Sequence, residues 1–462
     1  MRMILLVIFA VWLISQSMVL AAPSQGPPVA LPGPVDGDTG LTLVRRGRQD
    51  ARAQPLSVQD ALDEAVARNP RLIALRRQFD AMRQRPAQAR SLMPPSFEAQ
   101  IWQWPVNTLN PWNTNMYMFT MGQALPGRGK RALRATVAET EAELSLAAVA
   151  VEARDVIAEV KRVYADLYLV RREVEIHHET ATLLRQFADV SEAKYVTALG
   201  SQQDVLKAVV ELSRLHEHLL TLDERERLAL ARLNTLLDRP TESPVGRLAD
   251  PREHGTLPAL ATLQRMALDH QPSLLAARVA IEHTEARLAA ERREHKPDFF
   301  VKGGYMLMPG QSDSWTAMAG VTWPDAPWSR PGLDARVAEA VASRATARAR
   351  LAEVENAIRL AVHESYVQAN AAQERAALLR TSIVPLTKQV VAVSRVTYQA
   401  DQGDFLTLID NQRVLLDAQV AYQRALSDLE QARADLERAT GTDLLSDVTA
   451  GLRVPALEAT PR

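Results

Sequence analysis

The chain of 462 residues contains no cysteine. This absence excludes disulfide bonds and excludes anchoring through a lipidated cysteine, so stability must come from packing and assembly. Acidic and basic residues balance to a formal net charge of −1, which gives no electrostatic reason to expect a nucleic-acid partner. The sequence also lacks a phosphate-binding loop, a His-Glu-x-x-His motif and a nucleophile elbow. We therefore expect neither an enzyme nor a cofactor.

The N-terminus has the pattern of a secretory signal. Arg2 precedes an apolar run from Met3 to Leu20, and Val19-Leu20-Ala21 offers small residues for cleavage after Ala21. The alternative is a single-pass anchor, but the apolar core is shorter than the ~20 residues that a spanning helix needs. We predict a signal peptide over residues 1–21 and an irregular segment rich in proline and glycine over 22–55.

Most of the remaining chain occurs twice, at an offset of about 202 residues. Asn69-Pro70 corresponds to Gln271-Pro272, and Tyr164 corresponds to Tyr366. We predict repeat 1 over 56–240, a linker over 241–256, repeat 2 over 257–444 and a tail over 445–462. Each repeat contains a helix, a β-hairpin (96–124 or 298–324), a long helix, a tip (195–204 or 398–404) and a further helix.

Glycine and proline are absent from residues 132–193. Apolar residues there recur at alternating steps of four and three, as at Val156, Val160, Val163 and Leu167. An average spacing of 3.5 residues predicts long helices that wind around neighbours. At each tip a glycine, Gly200 or Gly403, is expected to end one helix, and Ser201 or Asp404 to cap the next, with Asp204 completing a capping box around Ser201.

Tryptophan outside the signal segment is confined to two short windows. Residues 315–323 alternate in period two, with Trp315 and Trp323 at the ends. Nine to eleven residues with aromatic ends are typical of transmembrane β-strands, while a soluble two-hairpin sheet packed on the helices is the alternative. Four strands are too few to close a barrel, so the membrane interpretation requires strands from other subunits.

The order of these features resembles the TolC-like outer-membrane efflux family, with some likeness to its heavy-metal branch. The resemblance covers about Leu56 to Leu444 and includes the phrase 123–131 (QALPGRGKR), the strand starts Pro94-Pro95-Ser96-Phe97 and Pro297-Asp298-Phe299, and the segments that follow the two tips. It implies a mainly α fold with membrane β-structure: tandem-duplicated long helical hairpins form a coiled-coil α-barrel. Four transmembrane β-strands per protomer contribute to a trimeric twelve-stranded β-barrel.

The resemblance also implies a function and partners. The protein would be the passive outer-membrane duct of a tripartite efflux system, a homotrimer exporting small molecules or metal ions. It would contact outer-membrane lipid, a periplasmic adaptor and an inner-membrane pump, expected to be of the resistance-nodulation-division type. Its location would be the outer membrane of a Gram-negative bacterium, with periplasmic helices and no lipid anchor. The alternative is an exported coiled-coil adaptor or scaffold without a channel.

Site residues follow from the same resemblance. Asp410 is expected to line the periplasmic aperture, with an exposed helix acid as the alternative; Asp404 and Asp401 are weaker candidates, interpreted first as a cap and a turn residue. The expected adaptor-docking tips comprise Ala198, Leu199, Gly200, Ser201, Gln402 and Gly403. The expected membrane aromatic girdle comprises Trp102, Trp104, Trp315 and Trp323.

Three further features carry expectations. Gly129, Lys130 and Arg131 mark the junction of barrel and helix, where the two cations would contact lipid phosphates or simply begin a solvated helix. Pro385 predicts a helix kink. His177, His178, His216 and His218 suggest metal binding, but no carboxylate or cysteine lies in ligand spacing, so packed or surface histidines are favoured and no metal site is predicted.

Overall fold

The computed structural model describes residues 55–102, 104, 106, 107, 110, 114–197, 200–251, 255–400 and 402–443. The predicted signal peptide, nearly all of segment 22–55 and the predicted tail lie outside these residues. So do Ala198, Leu199 and Asp401.

The described chain is built mainly from helices. The first repeat contains α1 (Val58–Arg68), α2 (Pro70–Met82), α3 (Arg85–Arg90), β1 (Ser96–Trp102), β2 (Met116–Leu125), α4 (Lys130–Val196) and α5 (Gln202–Leu236). The second contains α6 (Leu260–His270), α7 (Pro272–Arg293), β3 (Asp298–Leu307), β4 (Ser314–Thr322), α8 (Arg330–Leu378), α9 (Val384–Gln399) and α10 (Phe405–Thr440). At ~1.5 Å per residue, α4 is a rod of roughly 100 Å.

The strands form a single antiparallel sheet in the order β1-β2-β3-β4. Two hairpins contribute to it, and β2 pairs with β3 to join the repeats. β1 and β4 are the sheet edges. An edge strand presents unpaired backbone donors and acceptors, so this sheet is able to extend in both directions.

The predicted apolar seam of the long helix is buried. Val156, Val160 and Leu167 are fully inaccessible and pack in a cluster with Leu233 and Leu237 near the end of α5. Val362, at the offset of the repeat from Val160, occupies the matching cluster in the second copy. The two repeats therefore use equivalent positions for their cores.

Tyr164 fastens the start of the described chain to the long helix. Its hydroxyl donates to the Leu56 carbonyl at 2.8 Å and accepts from the Ala249 amide at 3.0 Å. Leu56 and Leu248 form a parallel bridge at the same place. Burial raises the pKa of Tyr164 to about 12, so the hydroxyl keeps its proton for this contact.

The region of Pro385 differs from the prediction in detail. A π-helical turn, Leu379–Ile383, separates α8 from α9, and Pro385 lies in the first turn of α9. Proline lacks the amide hydrogen, and its ring crowds the carbonyl four residues before it. The wider π turn accommodates both effects, so the helical path continues from Arg330 to Gln399.

The helix caps at the tips also correct two expectations. Ser201 accepts a hydrogen bond from the Gln203 amide, but the predicted capping box with Asp204 is not formed. Asp404 occupies the cap position of α10 with extended backbone, yet its side chain makes no capping hydrogen bond.

Candidate functional site

The two faces of the sheet differ sharply in chemistry. Residues directly opposite one another on paired strands point to the same face, so the register assigns every strand residue to a face. One face carries Phe97, Ala99, Ile101, Tyr117, Phe119, Met121, Gln123, Leu125, Phe299, Val301, Gly303, Tyr305, Leu307, Trp315, Ala317, Ala319 and Val321. Gln123 is the sole strongly polar side chain in this set.

Charged side chains lie on the opposite face. Lys302 of β3 pairs with Glu98 of β1 at 2.8 Å, passing over β2 at Gly122. A β-carbon at Gly122 would lie 3.0 Å from the Lys302 Cγ atom, so glycine leaves the space that the lysine side chain crosses. The ion pair ties two strands that are not neighbours, on a face that also carries Met118, Phe300 and Met318.

The apolar face is exposed in the protomer. Phe97 is 76% accessible and Trp315 is 81% accessible. Exposed apolar area of this extent, on one side of a sheet and bounded by aromatic residues, is typical of a surface covered by lipid or by another protein.

The four tryptophans assigned to the girdle do not share one face. Trp315 belongs to the apolar face, and Trp323 follows β4 directly with 65% of its surface exposed. Trp104 lies beyond β1, in a turn that is described only in part. Trp102 lies on the polar face and its indole N–H donates to Gln100 at 2.9 Å. Trp102 therefore shares its face with Glu98 and Gln100 and not with Trp315, and its place in a membrane girdle stays a prediction.

The junction between sheet and long helix is organised around Lys130. Its ammonium group is buried and pairs with Asp298 at 2.9 Å and with Glu294 at 3.1 Å. Asp298 also accepts from the Gly127 amide at 2.7 Å. Both expectations for Lys130 are wrong, because a buried, paired ammonium neither contacts lipid phosphate nor starts a solvated helix.

The neighbours of Lys130 shape the same junction. Gly129 has a φ of 89°, in the left-handed region that favours glycine, and caps α4. The Arg293 guanidinium donates to the Arg128 carbonyl at 2.8 Å. Arg131 is half-buried and donates to the Arg90 carbonyl at 2.9 Å. The junction thus joins α3, the start of α4 and the end of α7.

The two helix tips contact each other. Lys194 of α4 donates to the Tyr398 carbonyl at 2.7 Å and lies 4.1 Å from the centre of the Tyr398 ring. The Tyr398 hydroxyl lies 3.1 Å from Ser191, and its ring packs on Phe405. These residues were not identified from the sequence. Tyr195 and Tyr398 occupy equivalent positions in the two repeats, but Tyr195 is 47% exposed and Tyr398 only 6%.

Of the acids assigned to the aperture, the structure describes Asp404 and Asp410, and both are exposed. Asp410 is on α10, six positions beyond Asp404. The pKa of Arg413 is raised, mainly by its hydrogen bond to Glu211 and to a smaller extent by the charge of Asp410. Gly200, Ser201, Gln402 and Gly403 lie at the tips as expected from their place in the sequence. A ring of Asp410 side chains would require symmetry-related copies.

A buried carboxylate joins the first helical hairpin to the second. Glu173 of α4 is 0% exposed; one oxygen pairs with Arg225 of α5 at 3.2 Å and the other with Arg424 of α10 at 2.8 Å. Both arginines are about half exposed. This network was also missed from the sequence, since its members are separated by 52 and 251 positions.

Comparisons with known proteins agree with this architecture. Residues 263–442 match the model of the family "Outer membrane efflux protein". The chain is 22% identical, over 87% of its length and 94% of the relative's, to the cobalt-zinc-cadmium resistance protein CzcC of Cupriavidus metallidurans. Its fold is similar to the outer-membrane channel OprN, with a TM-score of 0.70 and 18% identity over 83% of this chain and 89% of that one.

The open state of the MtrE outer-membrane channel of Neisseria gonorrhoeae gives a TM-score of 0.70 and 18% identity, covering 84% of this chain and 89% of that one. The fold is therefore that of outer-membrane channels with a helical barrel and a β-barrel domain. The family-model match over residues 263–442, the curated relative and the fold all make this chain similar to outer-membrane efflux proteins. Both of these structural neighbours are described as outer-membrane channels.

Proposed function

We propose that this chain is the outer-membrane duct of a tripartite efflux system and has no enzymatic activity. Three copies close a twelve-stranded barrel by pairing β4 of one protomer with β1 of the next. The apolar face contacts lipid, and the face of Lys302 and Glu98 lines the pore. The observation that carries the proposal is this division of one open-edged sheet into an apolar and a charged face.

Exposed apolar residues on the helices support the trimer. Leu386, Val393 and Val396 of α9 are 59%, 67% and 66% exposed, and Leu220 of α5 is 73% exposed. The helical run Arg330–Gln399 is apolar enough over one stretch to span a membrane by composition, and 11% of that stretch is buried. Because β3 and β4 already supply membrane strands, we assign this apolar surface to contact with neighbouring protomers in the periplasm.

The tips are proposed to dock a periplasmic adaptor, and an inner-membrane pump of the resistance-nodulation-division type supplies the energy. Asp410 would form a carboxylate ring at the periplasmic aperture when three copies assemble. The division into signal peptide, two repeats, linker and tail belongs to this proposal, as do the Gram-negative outer membrane and the absence of a lipid anchor. The name of the CzcC relative makes cobalt, zinc and cadmium ions the first substrates to test.

Single cysteines provide a sharp test, because the natural chain has none. Thr316→Cys places a thiol on the charged face, and Ala319→Cys places one on the apolar face of the same strand. In outer membranes, a water-soluble maleimide is expected to label the Thr316→Cys protein strongly and the Ala319→Cys protein weakly. Equal labelling of both would mean that the sheet is surrounded by water, and the duct would have to be abandoned.

A further inference from the structure

A cavity of about 370 Å³ lies between α4, α5 and α10, and two of its lining residues, Leu184 and Ile409, belong to the apolar cluster that contains Tyr398 and Phe405. Its lining includes His177, His218, Gln412, Glu211 and Asp417. The sequence groups the histidines as neighbours, 177 with 178 and 216 with 218. The fold instead brings His177 and His218 together from different helices, with ring centres 4.6 Å apart.

His177 presents a free lone pair to its surroundings. Its Nδ1 atom lies 2.7 Å from the Glu173 carbonyl oxygen, which can only accept, so Nδ1 carries the hydrogen. The Nε2 atom is then the unprotonated nitrogen of a neutral ring. A backbone carbonyl on one ring nitrogen is the usual way in which a metal-binding imidazole is oriented.

Gln412 contributes an unused acceptor. The residue is 2% exposed, and its Oε1 atom is buried without a hydrogen-bond partner. A buried acceptor left unpaired is unfavourable, and such groups in folded proteins usually have a partner. Because Gln412 lines the same cavity as the two imidazoles, the missing partner is expected there.

The spacing of the rings suits a shared ion. Two imidazoles bound to one cation at about 2.1 Å have ring centres about 5.4 Å apart at a tetrahedral angle and about 4.6 Å apart at the right angle of a tetragonal or octahedral ion. The observed spacing of 4.6 Å matches the right angle. Arg214 and Arg413 also line the cavity, and both donate to Glu211, at 3.1 Å and 2.6 Å, so this carboxylate offsets part of their charge. Asp417 adds negative charge to the lining. Within the described ranges no three His, Cys, Asp or Glu side chains form a complete metal site, so water would fill the remaining positions.

We propose that His177, His218 and Gln412 form a binding site for a divalent cation of the zinc class, which joins α4, α5 and α10. Neutral imidazole is a preferred ligand for Zn²⁺, Ni²⁺ and Cu²⁺, whereas Mg²⁺ and Ca²⁺ prefer all-oxygen sites. The bound ion is a resident of the helical body, and the site is independent of what the channel exports.

The test uses the full mature protein, purified in detergent, stripped of metal and titrated with Zn²⁺ against a fluorescent chelator. The expected result is about one ion per chain, with affinity falling at least ~10-fold in His218→Ala. His178→Ala and His216→Ala are matched controls, because these exposed histidines lie next to the proposed ligands and outside the cavity lining. Both are expected to bind as the natural protein does.

Two further measurements decide the matter if His218→Ala folds poorly by circular dichroism. Gln412→Glu supplies a charged ligand at the same place and is expected to tighten Zn²⁺ binding about 10-fold. Co²⁺ in the natural protein is expected to give a visible absorption band of a nitrogen-ligated ion that Zn²⁺ displaces. Failure to bind Zn²⁺, or equal losses in His218→Ala and the two controls, would overturn the site.

Discussion

Glu173→Gln should loosen the contact between the two helical hairpins. The substitution keeps the shape of the side chain but removes the charge that Arg225 and Arg424 share. A hydrogen bond to a charged group contributes about 1.5–3 kcal/mol, and two are weakened here. Because both arginines are 40–52% exposed and can be rehydrated, we take the low end and expect a loss of about 2 kcal/mol per protomer.

The assay is thermal unfolding followed by far-UV circular dichroism at a fixed heating rate. A loss of about 2 kcal/mol is expected to lower the midpoint by roughly 3–6 °C. Glu175→Gln is the matched control: this acid lies two positions away on the same helix, is 54% exposed, and pairs with Arg172 one turn before it. It should shift the midpoint by less than about 1 °C.

The same variant bears on the proposed duct. If α10 and α4 separate when the periplasmic end widens, Glu173→Gln should raise the conductance of the protein in a planar bilayer, whereas Glu175→Gln should not. A Glu173→Gln protein that melts and conducts like the natural one would refute the reasoning that this buried carboxylate holds the hairpins together.

Three other perturbations have defined outcomes. Lys130→Met leaves two carboxylates at the junction without their shared cation and should lower the free energy of unfolding by about 2–3 kcal/mol. The measurement is the yield of heat-modifiable protein, which should be reduced in Lys130→Met and unchanged in Arg131→Met. Tyr164→Phe removes hydrogen bonds to two chain segments and should lower stability by about 1–2 kcal/mol in the same melting assay. Burial lowers the pKa of His177 below its usual 6.5, so on acidification the unfolded chain takes up this proton at a higher pH than the folded chain does. The contribution of His177 to stability should therefore be full above about pH 6.5 and decrease as the pH drops below it. The decrease in stability with pH should be less steep in His177→Gln. A flat pH profile, or an unchanged Tyr164→Phe midpoint, would contradict these assignments.

Features that depend on local pattern were predictable from the sequence. The seam of Val156, Val160 and Leu167 is buried as the 3.5-residue spacing requires, and the strands occupy the two aromatic windows. The face of Trp102 could also have been found, because it shares even parity with Glu98 and Gln100 in β1.

Features that depend on contacts between distant segments were not predictable. The partners of Lys130 lie 164 and 168 positions away, in a part of the other repeat that pattern alone does not place beside it. The contact between His177 and His218 was partly predictable, since both residues lie about twenty residues from the tip of the first hairpin. Folding α5 back along α4 brings them level, so the hairpin register carries a signal that the local spacing of the histidines hides.

The pairing of sheet edges between protomers is the central claim of the account, and membrane fractionation with crosslinking tests it most directly. Untagged mature protein should be found in the outer-membrane fraction and crosslink to about three times the mass of the monomer, as a species that resists SDS until boiled. A monomer in the soluble periplasmic fraction would contradict the account, because β1 and β4 would then remain open edges and the apolar face would need a cover within the protein itself.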